Sequence, residues 1–412
     1  MGRTVFRNAN LLNGRNPSRP NTNLVVEGER IESVGKDVKP RAGDRVLDLA
    51  GRSLLPGLFS CHFHASFDGA QLAAFPLGMD QPPGYLMLRA AKNVRGALEG
   101  GFTSLVGAGG GDDIDAQLAQ AIEDDLVRGP RLTPGSHDLG TTGGYVDLAG
   151  WWWRMGNTGT CRLADGVDEW RKTVREEIHR GARMIKIYAS GGHGSEHTGR
   201  SQFSPEELCA VVETAHQRGA RVRAHVCWKP QILECIAAGV DVIDHGDEID
   251  AEIIDAMLEK RTVWVPSALY LEKLLNFPEL QNPEFAELRT AAQRELDNIL
   301  RRVVEAQAAG VCIVPGDDYG VAFLPHGNYA EELEFYVKRA GVSPLEVLGW
   351  ATANGAAMVG VEDELGDLAP GKLADLIVVD GDPSADISIL SDPKRLLAVV
   401  KGGRFERDLP AN

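Results

Sequence analysis

The segment Ser204-Pro205-Glu206-Glu207-Leu208-Cys209-Ala210-Val211-Val212-Glu213-Thr214-Ala215-His216-Gln217-Arg218-Gly219-Ala220-Arg221-Val222-Arg223-Ala224-His225-Val226 carries one complete helix–strand unit. Ser204 and Glu207 form a capping box, with Pro205 at the first helical position. Leu208, Val211, Val212 and Ala215 follow at i, i+3, i+4 and i+7, and Gly219 can end the helix. Val222 to Val226 then reads as a strand. The alternation continues in both directions. Upstream runs are Leu54 to His64, Thr103 to Ala108, Arg131 to Ser136 and Arg183 to Ala189; downstream runs are Val240 to Asp244, Thr262 to Pro266 and Val311 to Gly316. Ser343-Pro344-Leu345-Glu346 repeats the helix start signal. Eight strand–helix units predict an α/β fold, a closed parallel (β/α)8 TIM barrel over residues 57–360, with its active site at the carboxyl ends of the strands. An open doubly wound sheet is the alternative, but no G-x-G-x-x-G follows the first strand.

Outside these units the pattern is β-like. Asn23 to Val26, Arg30 to Val34 and Arg45 to Leu49 are brief runs near the start; Asp375 to Val379 and Leu396 to Val400 are β-branched runs near the end. Neither end has enough apolar residues for its own core. Residues 1–56 and 361–412 are therefore expected to join as one small β-sandwich domain. The net charge of −16 argues against nucleic acid or an anionic membrane surface as main partner, since both need basic patches. Six cysteines with no C-x-x-C pair fit a reducing compartment. No run of 18 apolar residues and no secretory h-region exist, so a cytoplasmic protein without a membrane span is expected.

Polar residues at the strand ends carry the chemistry. The first run ends in Cys61-His62-Phe63-His64. Histidines at i, i+2 on a strand share a face, so both can grip one metal ion. Taken alone, such a pair is more often packed or exposed. Cys61 and Phe63 are expected to point the other way, into the barrel–helix layer. His225 and His245 end the fifth and sixth runs, and Gly316-Asp317-Asp318 ends the eighth. A carboxylate there can bind metal and take a proton from water, and Asp318 is preferred over Asp317. Lys186 interrupts the apolar run Met184-Ile185-Lys186-Ile187-Tyr188. A buried lysine must be paired or neutralised. It can be a snorkelling residue, half of an ion pair, or a carbamate formed with carbon dioxide, whose two oxygens bridge two cations.

His62-Phe63-His64, Lys186, His225, His245 and Asp318 resemble, in order, the site of the amidohydrolase superfamily. The sequence is similar to its branch of Xaa-Pro dipeptidases (prolidases), related carboxypeptidases and imidazolonepropionase-like hydrolases. The resemblance includes Leu55-Pro56-Gly57-Leu58, Ile243-Asp244-His245-Gly246 and the stretch Gly366-Asp367-Leu368-Ala369-Pro370-Gly371-Lys372-Leu373-Ala374-Asp375. It implies two divalent metal ions. His62, His64 and Asp318 would hold one, His225 and His245 the other, and carboxylated Lys186 would bridge them. Zinc is the default for this ligand set, with manganese and cobalt as alternatives. It also implies that Asp318 moves a proton from the nucleophilic water to the leaving nitrogen.

The chain departs from the prolidase pattern in two places. Where members often show T-G-G-H-G-D, it has Thr142-Gly143-Gly144-Tyr145-Val146-Asp147; three residues after the fifth-strand histidine it has Trp228 rather than Tyr. Tyr145 and Trp228 are therefore candidate substrate contacts, with loop packing as the plain alternative for Tyr145. They favour a bulky or aromatic amide over a plain dipeptide. His137, after the third strand, and His193, in a glycine-rich loop after the Lys186 strand, are further candidates. Trp151-Trp152-Trp153 offers a lid or a subunit contact, and a homo-oligomer is expected. The expected activity is hydrolysis of a small-molecule amide: an N-acyl amino acid, a dipeptide-like compound or an aryl amide. A mononuclear cyclic-amide hydrolase or deaminase is the enzymatic alternative, and Lys186 argues against it. A non-catalytic binding protein is a third reading, opposed by the intact ligand set.

Overall fold

The computed structural model describes residues 2–69, 80–147, 160–192 and 200–409. Its strands, in chain order, are β1 (Arg3–Leu11), β2 (Arg19–Glu27), β3 (Arg30–Gly35), β4 (Arg45–Asp48), β5 (Ser53–Pro56), β6 (Leu58–Phe63), β7 (Phe102–Gly107), β8 (Arg131–Thr133), β9 (Gly135–Gly140), β10 (Cys161–Leu163), β11 (Met184–Tyr188), β12 (Arg221–Val226), β13 (Val242–His245), β14 (Val263–Val265), β15 (Leu376–Val379), β16 (Leu396–Lys401) and β17 (Arg404–Arg407).

The first long apolar run divides at Gly57. β5 joins the sheet of the termini and β6 opens the barrel. From β6 the staves run parallel. β6 pairs with β7 and β7 with β8; β9 pairs with β11, β11 with β12, β12 with β13 and β13 with β14. The third stave is broken between β8 and β9, and Gly110 N–H donates to Ser136 O across that seam at 3.1 Å. The eighth stave is not a regular strand. It is an extended segment that bridges Ile313 to Trp264 and accepts at Pro315 O from Cys61 N–H at 2.7 Å, closing the ring onto β6. Helices separate the staves, among them Pro83–Glu99, Ile114–Glu123, Val167–His179, Lys229–Ala238, Ala251–Lys260 and Ala286–Ala309. The helix Pro205–His216 begins at Ser204 with both bonds of its capping box, and Ser343 starts Pro344–Gly349 the same way.

Outward-facing Ile185, Ile187, Val222, Ala224 and Ile243 pack under the helices in the main core. Inward-facing Phe59, Met184, Val242, Val263 and Val314 fill the barrel floor. Cys61 belongs to this inner cluster, contrary to expectation, while Phe63 lies in the outer core as expected. The cause is a register shift of β6 on β7 between Ser60 and Phe63. Such a bulge lets successive side chains share a face.

The termini form one continuous sheet, β17-β16-β15-β5-β1-β2-β3, with β4 added to β1. It curls over a core containing Phe6, Leu24, Leu54, Leu376 and Val400. The curl brings the Phe6 and Phe405 rings to 6.1 Å, although β1 and β17 are not neighbours. The sandwich is thus a single sheet folded on itself. No helix among the described residues is long and apolar enough to cross a membrane.

Candidate active site

His62 and His64 stand at the carboxyl end of β6. Gly316 allows the eighth segment to pass beside them: a Cβ there would lie 2.1 Å from the His62 backbone nitrogen. The chain then delivers Asp318, whose Oδ1 lies 2.8 Å from His62 Nε2 and 3.1 Å from His64 Nε2. The two imidazole Nε2 atoms are 3.3 Å apart. Neighbouring Asp317 turns away and accepts from the backbone N–H groups of Tyr270 and Asp318. Burial pushes the Asp318 carboxyl pKa up, but charge and hydrogen bonding from His62, with His64 assisting, hold it well below the usual range.

These three residues suit a divalent metal. His64 Nδ1 lies 3.0 Å from Gly109 O, and a carbonyl can only accept, so Nδ1 carries the proton. The lone pair of neutral His64 is then on Nε2, aimed where His62 Nε2 and Asp318 Oδ1 converge.

His225 and His245 are brought into the same mouth. Their rings are 4.5 Å apart, and His245 is 5.6 Å from His62. His245 has a left-handed backbone, φ 66°, unusual for a non-glycine residue. That turn breaks strand alternation, so both Asp244 and His245 face inward. Lys186 is fully buried, but its Nζ points at Asp244 Oδ2, 2.6 Å away. Arg223, two residues before His225, grips the same carboxylate with Nε and Nη2 at 3.0 and 2.5 Å. Burial opposes ionisation of Asp244, but Arg223 and Lys186 outweigh it and hold its pKa well below normal. Asp138 lies beside Lys186 across the β9–β11 register and is also buried.

Sequence reasoning missed Arg223, Asp244 and Asp138. Arg223 carried the signal that singled out Lys186, a cation inside an apolar strand. Asp138 was hidden because β9 continues to Gly140. His137 is thereby turned outward, where its Nδ1 lies 3.0 Å from Glu177 of the helix Val167–His179.

A cavity of about 190 Å³ opens above the histidines. Its described lining includes His64, His225, Asp318, Phe67, Tyr145, Tyr188, Tyr270, Leu274, Leu288 and Val321, with no lysine or arginine. Tyr188 stacks on His225 at 4.5 Å, and Tyr145 lies parallel to it at 5.8 Å. Burial pushes the Tyr145 pKa up to about 12 and that of Tyr188 well above normal, so both phenols stay protonated and can donate. Trp228 precedes the helix Lys229–Ala238, half-buried, and is not in this lining; nor is His137. His193 and Trp151–Trp153 lie outside the described residues. A larger groove of about 1270 Å³ runs past Asp250, Arg289 and Asn298 and contains none of the candidate ligands, so its size does not make it the reaction site.

An inward-facing His/Asp cluster at the carboxyl ends of a closed parallel barrel defines a class: metal-dependent hydrolases built on this scaffold. The chain belongs to the Amidohydrolase family, whose model matches residues 53–405. It is accordingly a hydrolase of carbon–nitrogen bonds. It is 32% identical to ochratoxinase of Aspergillus niger, over 98% of this chain and 86% of that protein. The crystal structure of A. niger ochratoxinase superposes with a TM-score of 0.88 at 30% identity, covering 99% of this chain and 96% of that one. A prolidase complexed with N-methylphosphonate-L-proline matches with a TM-score of 0.87 at 30% identity, covering 98% and 100% of the two chains. Imidazolonepropionase of Cereibacter sphaeroides is 26% identical over 94% of this chain and 95% of that one.

Proposed function

We propose that the protein hydrolyses the amide bond of a small molecule carrying a bulky aromatic or apolar group, with two zinc ions in the barrel mouth. The observation that carries this is the convergence of His62 Nε2, His64 Nε2 and Asp318 Oδ1 beneath an aromatic cavity. His62, His64 and Asp318 would hold one metal and His225 and His245 the other, and Lys186, if carboxylated, would be a ligand to both. When bound, the pair supplies an activated water at neutral pH and positive charge for the scissile carbonyl. Asp318 accepts the proton of the attacking water and returns it to the leaving nitrogen. Tyr145 donates a hydrogen bond to the substrate. Leu274, Leu288, Tyr188 and Tyr270 receive the apolar group. The cavity lining supports neither Trp228 nor His137 in that role, and His193 lies outside the described residues.

The likeness to ochratoxinase and to a prolidase supports an amide substrate. Six free cysteines support a reducing, cytoplasmic setting. Exposed Tyr85 and Leu88 on the first barrel helix supply apolar surface for a homo-oligomer. Residues 57–360 form the catalytic unit, and 1–56 with 361–412 the supporting one.

A mononuclear reading is favoured by the Lys186–Asp244 pair, because an ammonium held at 2.6 Å by a carboxylate is not a metal bridge. A panel of aryl amides, N-acyl amino acids and dipeptides, assayed before and after chelation, tests the function. Metal-dependent turnover of bulky amides supports it; turnover of none of them sinks it.

A further inference from the structure

We infer that Asp244, clamped by Arg223, is a positioning residue that sets the tautomer of the candidate metal ligand His62. This rests on the metal-centre reading above. His62 presents Nε2 to the ligand cluster, so as a ligand it must carry its proton on Nδ1. Two groups face that nitrogen: Arg223 Nη2 at 3.1 Å and Asp244 Oδ1 at 3.4 Å. A guanidinium has no acceptor. Asp244 Oδ1 is therefore the group that can accept a hydrogen bond from Nδ1–H.

Arg223 has the complementary part. Without metal, His62 Nδ1 accepts from Arg223 Nη2, which leaves the ring proton on Nε2, 3.3 Å from His64 Nε2 and 2.8 Å from Asp318 Oδ1. In the metal-binding tautomer the ring proton would sit on Nδ1 instead of Nε2, and Nδ1–H would donate a hydrogen bond to Asp244 Oδ1. The ring neither gains nor loses a proton overall, and its buried nitrogen has a partner in both forms. The clamp is rigid. Arg223 is completely buried and also donates from Nη1 to Cys61 O and Gly107 O, both at 3.0 Å, which ties it to β6 and β7. A carboxylate behind a metal-bound histidine is worth roughly 10–100-fold in metal affinity.

The test uses zinc alone as probe. In 15N-histidine-labelled wild-type protein, with His62→Gln used only to assign signals, NMR should show His62 protonated on Nε2 in the metal-free form and on Nδ1 in the zinc form. Equilibrium dialysis of Asp244→Asn should show zinc binding at least tenfold weaker. That variant leaves Arg223 and Lys186 without their carboxylate, so Arg223→Met/Asp244→Asn, which removes one charge of each sign, is measured beside it. The melting temperature of each metal-free variant is recorded, because a purely structural role would lower it and leave zinc affinity unchanged. A zinc-loaded His62 lacking a proton on Nδ1, or variants binding zinc within twofold of wild type, would overturn the inference and leave the metal centre standing. Wild-type protein that binds no zinc, manganese or cobalt would instead remove the metal centre and the inference with it.

Discussion

Lys186 Nζ and Asp244 Oδ2 meet at 2.6 Å in the barrel interior, both almost wholly shielded from solvent. Lys186 is also the residue proposed, once carboxylated, to serve both metals. Carboxylation of Lys186 must break it, and Arg223 remains to hold Asp244 when it does.

Metal-stripped protein should recover activity faster with zinc plus bicarbonate than with zinc alone, because the amine must add carbon dioxide before it can bridge. Stopped-time assays after zinc addition measure this. Equal recovery in carbon-dioxide-free buffer would remove the carbamate and favour a single metal.

Asp318→Asn keeps a side chain of the same shape but cannot take a proton. Its kcat should fall by about 10²–10⁴, the ordinary worth of a general base. Bound metal should fall much less, since His62 and His64 remain. Near-normal kcat would reassign the proton transfer.

His137 provides a control outside the site. Burial lowers its pKa, but hydrogen bonding and charge from Glu177 outweigh this and raise it above 6.5. Glu177, despite burial, is held below 4.5 by His137. The raised His137 pKa gives stability that is full below 6.5 and lost as pH rises through the folded value. The lowered Glu177 pKa gives stability present above 4.5 and lost as pH falls. The gap in melting temperature between wild type and His137→Leu should therefore be widest between pH 4.5 and 6.5 and shrink by pH 8.5. Turnover at pH 7.5 should change less than threefold. A large rise in KM would return His137 to the substrate site.

The aromatic cavity predicts specificity. An aromatic side chain buries about 150–250 Å², and a partial stack is worth roughly 1–2 kcal/mol, or about 5–30-fold in kcat/KM. For a matched aromatic and aliphatic amide, Tyr188→Leu or Tyr270→Leu should narrow the preference by that order. Trp228→Tyr should alter it far less, since Trp228 lies outside the cavity lining. If Trp228→Tyr alone narrows it, the substrate leaves the cavity on that side.

Much of this was legible in sequence because it depends on alternation and local start signals. The runs around Lys186, His225 and His245 became parallel staves, and the Ser204 and Ser343 capping boxes formed as spelled. What was not legible came from local breaks in alternation. The bulge between Ser60 and Phe63 puts Cys61 and His62 on the same inner face, and the left-handed turn at His245 brings that residue inward beside Asp244. The extension of β9 exchanged His137 for Asp138. None of these has a sequence signature without partner strands, because register is set by pairing. The acidic partner of Lys186 is 58 residues away in sequence and depends on barrel closure.

Metal content tests the central claim most directly. Elemental analysis of protein purified without chelator should find two divalent metal ions per chain. Stripping them should abolish amide hydrolysis, and restoring zinc with bicarbonate should return it. Protein that contains no metal and still turns over amides at full rate would contradict the account.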